Sequence, residues 1–170
     1  MKLHIGGEEP KQGWKILNIQ EGPHVDYLGT CTDLTAIEGS SVEEIYASHV
    51  YEHLGYLDEL PQALKEAYRV LVPGGKLMIS VPKFGVLCQL FLVEGLTMLQ
   101  RHEIMRMVFG GQVDPFDYHK VGLIEDFLRN DLGKTGFTGF QRVAKFDLFD
   151  DTSSYRIGGH LISLNVIATK

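Results

Sequence analysis

His49, Glu52 and His53 stand together in the run Ser48-His49-Val50-Tyr51-Glu52-His53. On a helix, a spacing of four places both imidazoles on one face with the carboxylate beside them. Histidine titrates near neutral pH, so His49 is the first candidate for a general base and His119 the second. The same spacing resembles a zinc-binding helix. Glu52 is misplaced for the HExxH arrangement, however, and a third ligand would have to come from His102 or His119, so the reading taken is a site without metal. A second group lies between Gly110 and Gly122, where Gln112, Asp114, Asp117, His119 and Lys120 interleave with Phe116 and Tyr118. Polar groups beside aromatic faces suit a small polar acceptor such as a sugar, which puts His53, Gln112, Asp117, Tyr118 and Lys120 on a substrate side. A solvated loop would have the same composition, and that alternative stays open.

The elements that must position these groups follow from periodicity. Leu3-His4-Ile5 reads as a short strand ending at Gly6-Gly7, and Lys15 to Ile19 as a second. The interval between them is loop length, too short for a helical crossover. Glu44 to Ser48 is a further strand, and Leu57, Leu60, Leu64, Ala67, Tyr68 and Leu71 recur at helical spacing. Pro73-Gly74-Gly75 is read as the stop of that helix and Lys76 to Val81 as the next strand, which together make a βαβ unit and a parallel sheet. Helical pattern resumes to Arg106, with Met98, Met105 and Met107 taken as core filling and Arg101, Glu103 and Arg106 as its wet side. Leu123 to Leu132 forms another amphipathic helix. A strand near Gln141 to Leu148, a Gly158-Gly159 turn and the alternating tail from Ile162 to Ala168 indicate a closing antiparallel hairpin. The fold class expected is α/β, a Rossmann-like, mostly parallel sheet with helices on both faces and a C-terminal antiparallel hairpin, in a single domain spanning residues 1–170.

Composition narrows the function classes. The 170 residues include 22 acidic and 16 basic side chains, for a net charge of -6, so no positive field exists to hold a nucleic-acid backbone. Two cysteines, Cys31 and Cys88, are too few for a disulfide framework or a thiolate cage. The start has no signal-peptide pattern, and the apolar run Phe84–Val93 is too short to span a bilayer. These features read as a cytoplasmic chain with no membrane and no nucleic-acid partner; a homodimer is compatible with them.

Several segments, in order, resemble one family. LHIGG closes the first strand, Thr32-Asp33-Leu34 follows the third, EIYASHVYEHL spans the fourth, and YRVLVPGGKLMISVP leads into the fifth. A strand ending in Ser-His, then x-x-Glu-His, a helix, PGG and a strand is similar to the class I S-adenosylmethionine (SAM)-dependent methyltransferases, and the match runs almost end to end. The segment FGGQVDPFDYHKVG further resembles small methyltransferase-like proteins of sugar and cell-surface biosynthesis. The resemblance implies SAM as cofactor, with Gly6 and Gly7 approaching its amino acid part, Asn18 at the ribose, Asp33 and Leu34 at the adenine, and Ser48 nearby. Methyl transfer to an O or N atom of a small or saccharide-linked acceptor is the activity implied. Two positions depart from the family pattern: Glu8 stands where a second loop glycine belongs, and Asn18 where a carboxylate is usual. A binding or structural module that kept the fold and lost turnover is the alternative reading.

Overall fold

The computed structural model describes residues 1–170. Five strands run parallel: β1 (Lys2–Ile5), β2 (Trp14–Asn18), β3 (Tyr27–Leu28), β4 (Val42–Ser48) and β5 (Leu71–Pro82). Two more close the sheet, β6 (Thr138–Val143) and β9 (Ser163–Thr169), with β9 antiparallel to both β5 and β6. The order across the sheet is β3-β2-β1-β4-β5-β9-β6. Between β6 and β9, β7 (Arg156–Ile157) and β8 (His160–Leu161) form a separate small hairpin around Gly158-Gly159. The closing pair is therefore β6 with β9. The strand expected near Gln141 to Leu148 lies earlier, and the glycine turn belongs to the small hairpin.

One face of the sheet is apolar and carries helices. Leu3, Ile45, Leu77 and Val166 from four strands join Leu64 and Ala67 of α1 (Glu59–Val70) and Leu128 of α4 (Glu125–Thr135) in a buried cluster of 28 residues. The α1 helix is capped by Asp58, whose side chain accepts from the Glu59 amide, and Leu57 lies outside it, 96% exposed. Helix ends at Val70, and Pro73-Gly74-Gly75 sits inside β5, where the pairing with β4 shifts register. This segment is an irregularity of the strand rather than the stop of the helix. Helices α2 (Phe84–Phe91) and α3 (Met98–Phe109) follow β5 and pack on each other. Ile104 is the one buried residue of α3, while Met98 and Met105 are exposed, which corrects the reading of those methionines as core.

The other face is covered differently. No helix stands between β1 and β2, β2 and β3, or β3 and β4. The eight residues from Gly6 to Gly13 carry the chain between two parallel strands as irregular loop. At the centre of this face the segment from Ala144 to Ser154, ending in a 3-10 turn, lies over His4, Trp14, Tyr46 and Met78. Phe149 stacks on Tyr46 at 5.3 Å between ring centroids and on His4 at 4.0 Å. The Tyr46 hydroxyl donates to Asp151 Oδ2 at 2.6 Å, and Asn165 Nδ2 donates to the carbonyls of Ala144 and Ser153. No helix of the chain is long and apolar enough to cross a membrane.

Candidate functional site

Side chains and loops at the carboxyl ends of β1, β2 and β4 enclose a cleft of about 560 Å³, within the range of small-molecule sites. Gly6, Glu8, Asn18, His49, His53 and Tyr118 line it. The glycines are required by the chain itself. Gly6 has φ +75°, and a Cβ there would meet Val50 Cγ2 at 2.6 Å; a Cβ at Gly7 would fall 2.4 Å from His4 Nδ1. Gly7 is buried beneath the loop, and its carbonyl accepts from Asn18 Nδ2 while Asn18 Oδ1 accepts from the Gln20 amide. The Gly110–Gly122 loop reaches this cleft as well: Gln20 Nε2 donates to Asp114 Oδ2, and the Lys120 and Val121 amides donate to the Glu52 carbonyl.

The residues 49–53 are not a helix face. His49 ends β4 with φ +54°, and Tyr51–His53 is a single 3-10 turn. This geometry turns Glu52 inward until 1% of it is exposed, with His49 Nδ1 at 3.1 Å and His119 Nε2 at 3.9 Å from Oε1. The His53 and His119 rings meet edge to face at 4.7 Å. Burial opposes the charge of Glu52, but His49, His119 and His53 outweigh it and hold its carboxyl below the usual range. Burial pulls the His119 imidazole below the ordinary histidine value against the attraction of Glu52.

Behind this cluster lies a second cavity of about 490 Å³, which shares His49 and His53 with the first. Asp117 and His119 open onto it from the loop, and His102, Glu103 and Arg106 from α3. Their i, i+4 spacing on one helix face was the available signal for His102 and Arg106; the sequence reading weighed His102 only as a candidate metal ligand and put Arg106 on the wet side of its helix.

Other expected site residues lie elsewhere. Asp33 is exposed and caps a turn, accepting from the Thr35 amide and hydroxyl; those bonds hold its carboxyl below the usual range. Leu34 is buried in the core, its amide donating to Glu66, so neither residue lines the cleft. Ser48 is partly buried at the end of β4 with its hydroxyl unpaired. Gln112 is exposed and lines neither cavity. Lys120 lines the cleft with its ammonium on Glu59 at 2.7 Å. Thr30, Cys31 and Glu59 also line it, without any motif that announced them.

The strand order, with one reversed strand between β5 and β6 and the cleft at the carboxyl ends, is the decisive feature, and comparison with known proteins agrees with it. Residues 12–79 match the methyltransferase domain family. The chain has the fold of the class I SAM-dependent methyltransferases. A SAM-dependent methyltransferase from Archaeoglobus fulgidus matches with TM-score 0.62 and 17% identity over 99% of this chain and 85% of that one. One from Thermotoga maritima matches with TM-score 0.54 and 18% identity, over 99% and 81%. The 1,6-didemethyltoxoflavin-N1-methyltransferase of Burkholderia thailandensis, solved with its substrate and S-adenosylhomocysteine, matches with TM-score 0.59 and 14% identity over 99% and 70%. No curated protein matches in sequence. In this chain no helix stands between the first four strands, and a carboxylate, Glu8, lies on the cleft wall.

Proposed function

We propose that the chain binds SAM in the larger cleft and transfers its methyl group to an O or N atom of a small or saccharide-linked acceptor held in the adjoining cavity. The observation that supports this best is the shared wall: His49 and His53 line both spaces. A sulfonium methyl directed at that wall would face a nucleophile on the other side, and in-line displacement needs chiefly such positioning. Gly6 and Asn18 are the cofactor contacts that remain after Gly7, Asp33 and Leu34 are set aside. Asp117 and His119 are the acceptor contacts, while Tyr118 lines the cofactor cleft. Where the acceptor carries a proton, His49 is the proposed base. Its Nε2–H is committed to Ser163 Oγ, because that hydroxyl already donates to the Thr152 carbonyl, so the proton would arrive at Nδ1 with Glu52 stabilising the imidazolium.

Glu8 on the cleft wall favours the second reading, a binding module without turnover, because its charge opposes the SAM carboxylate. Calorimetric titration with S-adenosylhomocysteine separates the two from a chain that binds neither. Saturable binding that tightens in Glu8→Gly, together with methyl release from SAM that is lost in His49→Ala, supports the enzyme. Binding without turnover of any acceptor supports the module, and no heat at millimolar ligand refutes cofactor binding altogether.

A further inference from the structure

We propose that Glu52, His53 and His119 form a binding site for a divalent cation of the zinc class, set in the wall between the two cavities. The proposal goes beyond methyl transfer and does not depend on it. One ligating atom from each of these residues lies within 4.8 Å of the other two. Glu52 is 1% exposed, and neither of its carboxylate oxygens has a hydrogen-bond partner. His49 Nδ1 comes within 3.1 Å but off the direction of a hydrogen bond. A buried carboxylate without donors is costly unless a cation or a proton answers it.

The hydrogen bonds of the histidines decide what faces that carboxylate. His53 Nδ1 lies 3.1 Å from the Tyr118 carbonyl, and His119 Nδ1 lies 3.2 Å from the Met107 carbonyl. A carbonyl only accepts, so both Nδ1 atoms carry the hydrogen, and the neutral rings keep a bare lone pair on Nε2. His49 is fixed in the same sense from the other side, since its Nε2–H donates to Ser163 Oγ and its Nδ1 lone pair is the one nearest Glu52. With all three rings neutral, the cluster is a set of acceptors around the carboxylate, and either a proton on the imidazoles or a bound cation answers its charge. Imidazoles whose far nitrogen is pinned by a backbone carbonyl are oriented as metal ligands are. Two histidines and one glutamate with open space on both sides are the donor set and vacancy of a catalytic zinc site. Ligand atoms around a tetrahedral ion sit about 3.3 Å apart for bonds of about 2.0–2.1 Å; the 3.9 Å between His119 Nε2 and Glu52 Oε1, and the separations of up to 4.8 Å within the group, close to that on side-chain rotation around the ion. Of the two histidines four apart in the sequence the fold uses only His53, brings in His119 and turns Glu52 inward.

The test uses the full chain carrying Cys88→Ser, which removes the exposed thiol, after treatment with a chelator. Titration with Zn²⁺ is expected to saturate at about one equivalent, and Co²⁺ to give the visible absorption of a four-coordinate ion. His53→Ala and His119→Ala should each weaken Zn²⁺ binding by more than the roughly 10- to 100-fold that loss of an outer-shell partner costs. His102→Ala, on the same cavity but outside the cluster, should change it by less than about twofold, or ~0.4 kcal/mol. Absence of saturable binding overturns the proposal, as does equal weakening in His102→Ala. Should His119→Ala fail to fold, as circular dichroism would reveal, His53→Ala decides alone: unchanged affinity there also overturns it.

Discussion

Acidification should loosen the polar face of the sheet through His4. Its ring is 6% exposed, stacked beneath Phe149, and its Nδ1 has no hydrogen-bond partner. Burial disfavours the imidazolium, Asp151 partly offsets this, Lys11 adds to it, and the pKa falls from 6.5 to about 4. A folded value below the unfolded one means that the unfolded chain binds more protons between those limits. The stability is therefore present in full above pH 6.5 and lost as pH falls toward 4. For a single site the loss between pH 7 and pH 5 is about 2 kcal/mol, out of ~3 kcal/mol for the whole shift. Urea unfolding of the natural chain and of His4→Phe at both pH values measures it, because the difference between the two chains removes the contribution of every other titrating group. The natural chain should lose about 2 kcal/mol more than the variant over that interval. Equal losses would refute the assignment of a neutral, desolvated histidine beneath Phe149.

Gly6→Ala should destabilise by about 1–3 kcal/mol, since it places a side chain at positive φ against Val50. The double variant with Val50→Ala should recover the clash but not the conformational cost, and thermal melting of the three chains separates them. Glu66→Ala should cost about 1–3 kcal/mol in denaturant unfolding, because it leaves the buried Leu34 amide without an acceptor and Arg69 without its carboxylate. Arg69 also donates to the Leu34 and Ile37 carbonyls, so hydrogen exchange at residues 34–37 should quicken in the same variant.

The apolar half of the fold was legible in the sequence for a physical reason. Leu60, Leu64 and Ala67 recur at 3.6-residue spacing because α1 has one stripe to bury, and the β4-α1-β5 unit follows from it. The site was less legible because a spacing of four has the same appearance in a helix and in a strand end followed by a 3-10 turn. The inward path of Glu52 comes from the positive φ of His49, which residue type alone does not announce. His119 joins the cluster through a loop whose amides at Lys120 and Val121 bond to the Glu52 carbonyl, a long-range pairing of backbone with no sequence signature.

The second face of the sheet carries the deeper lesson. Alternation along the tail placed Ser163 and Asn165 opposite the apolar stripe, which ordinarily means toward water, yet both are buried. The backbone of a helix laid on that face could not have satisfied them, because its interior amides and carbonyls are spent on its own ladder. Irregular chain has free carbonyls. Ala144 and Ser153 offer theirs to Asn165, Thr152 offers its own to Ser163, and Asp151 receives the Tyr46 hydroxyl. The polar stripe and the missing helices are thus one adaptation: with no helix between β1 and β2, the face is closed by a loop, and a loop can close over polar groups. Ser163 then passes the effect to the site. Its hydroxyl is pinned by Thr152 and in turn pins His49 Nε2, so the segment that replaces a helix on one face of the sheet sets the tautomer of a histidine at its carboxyl edge.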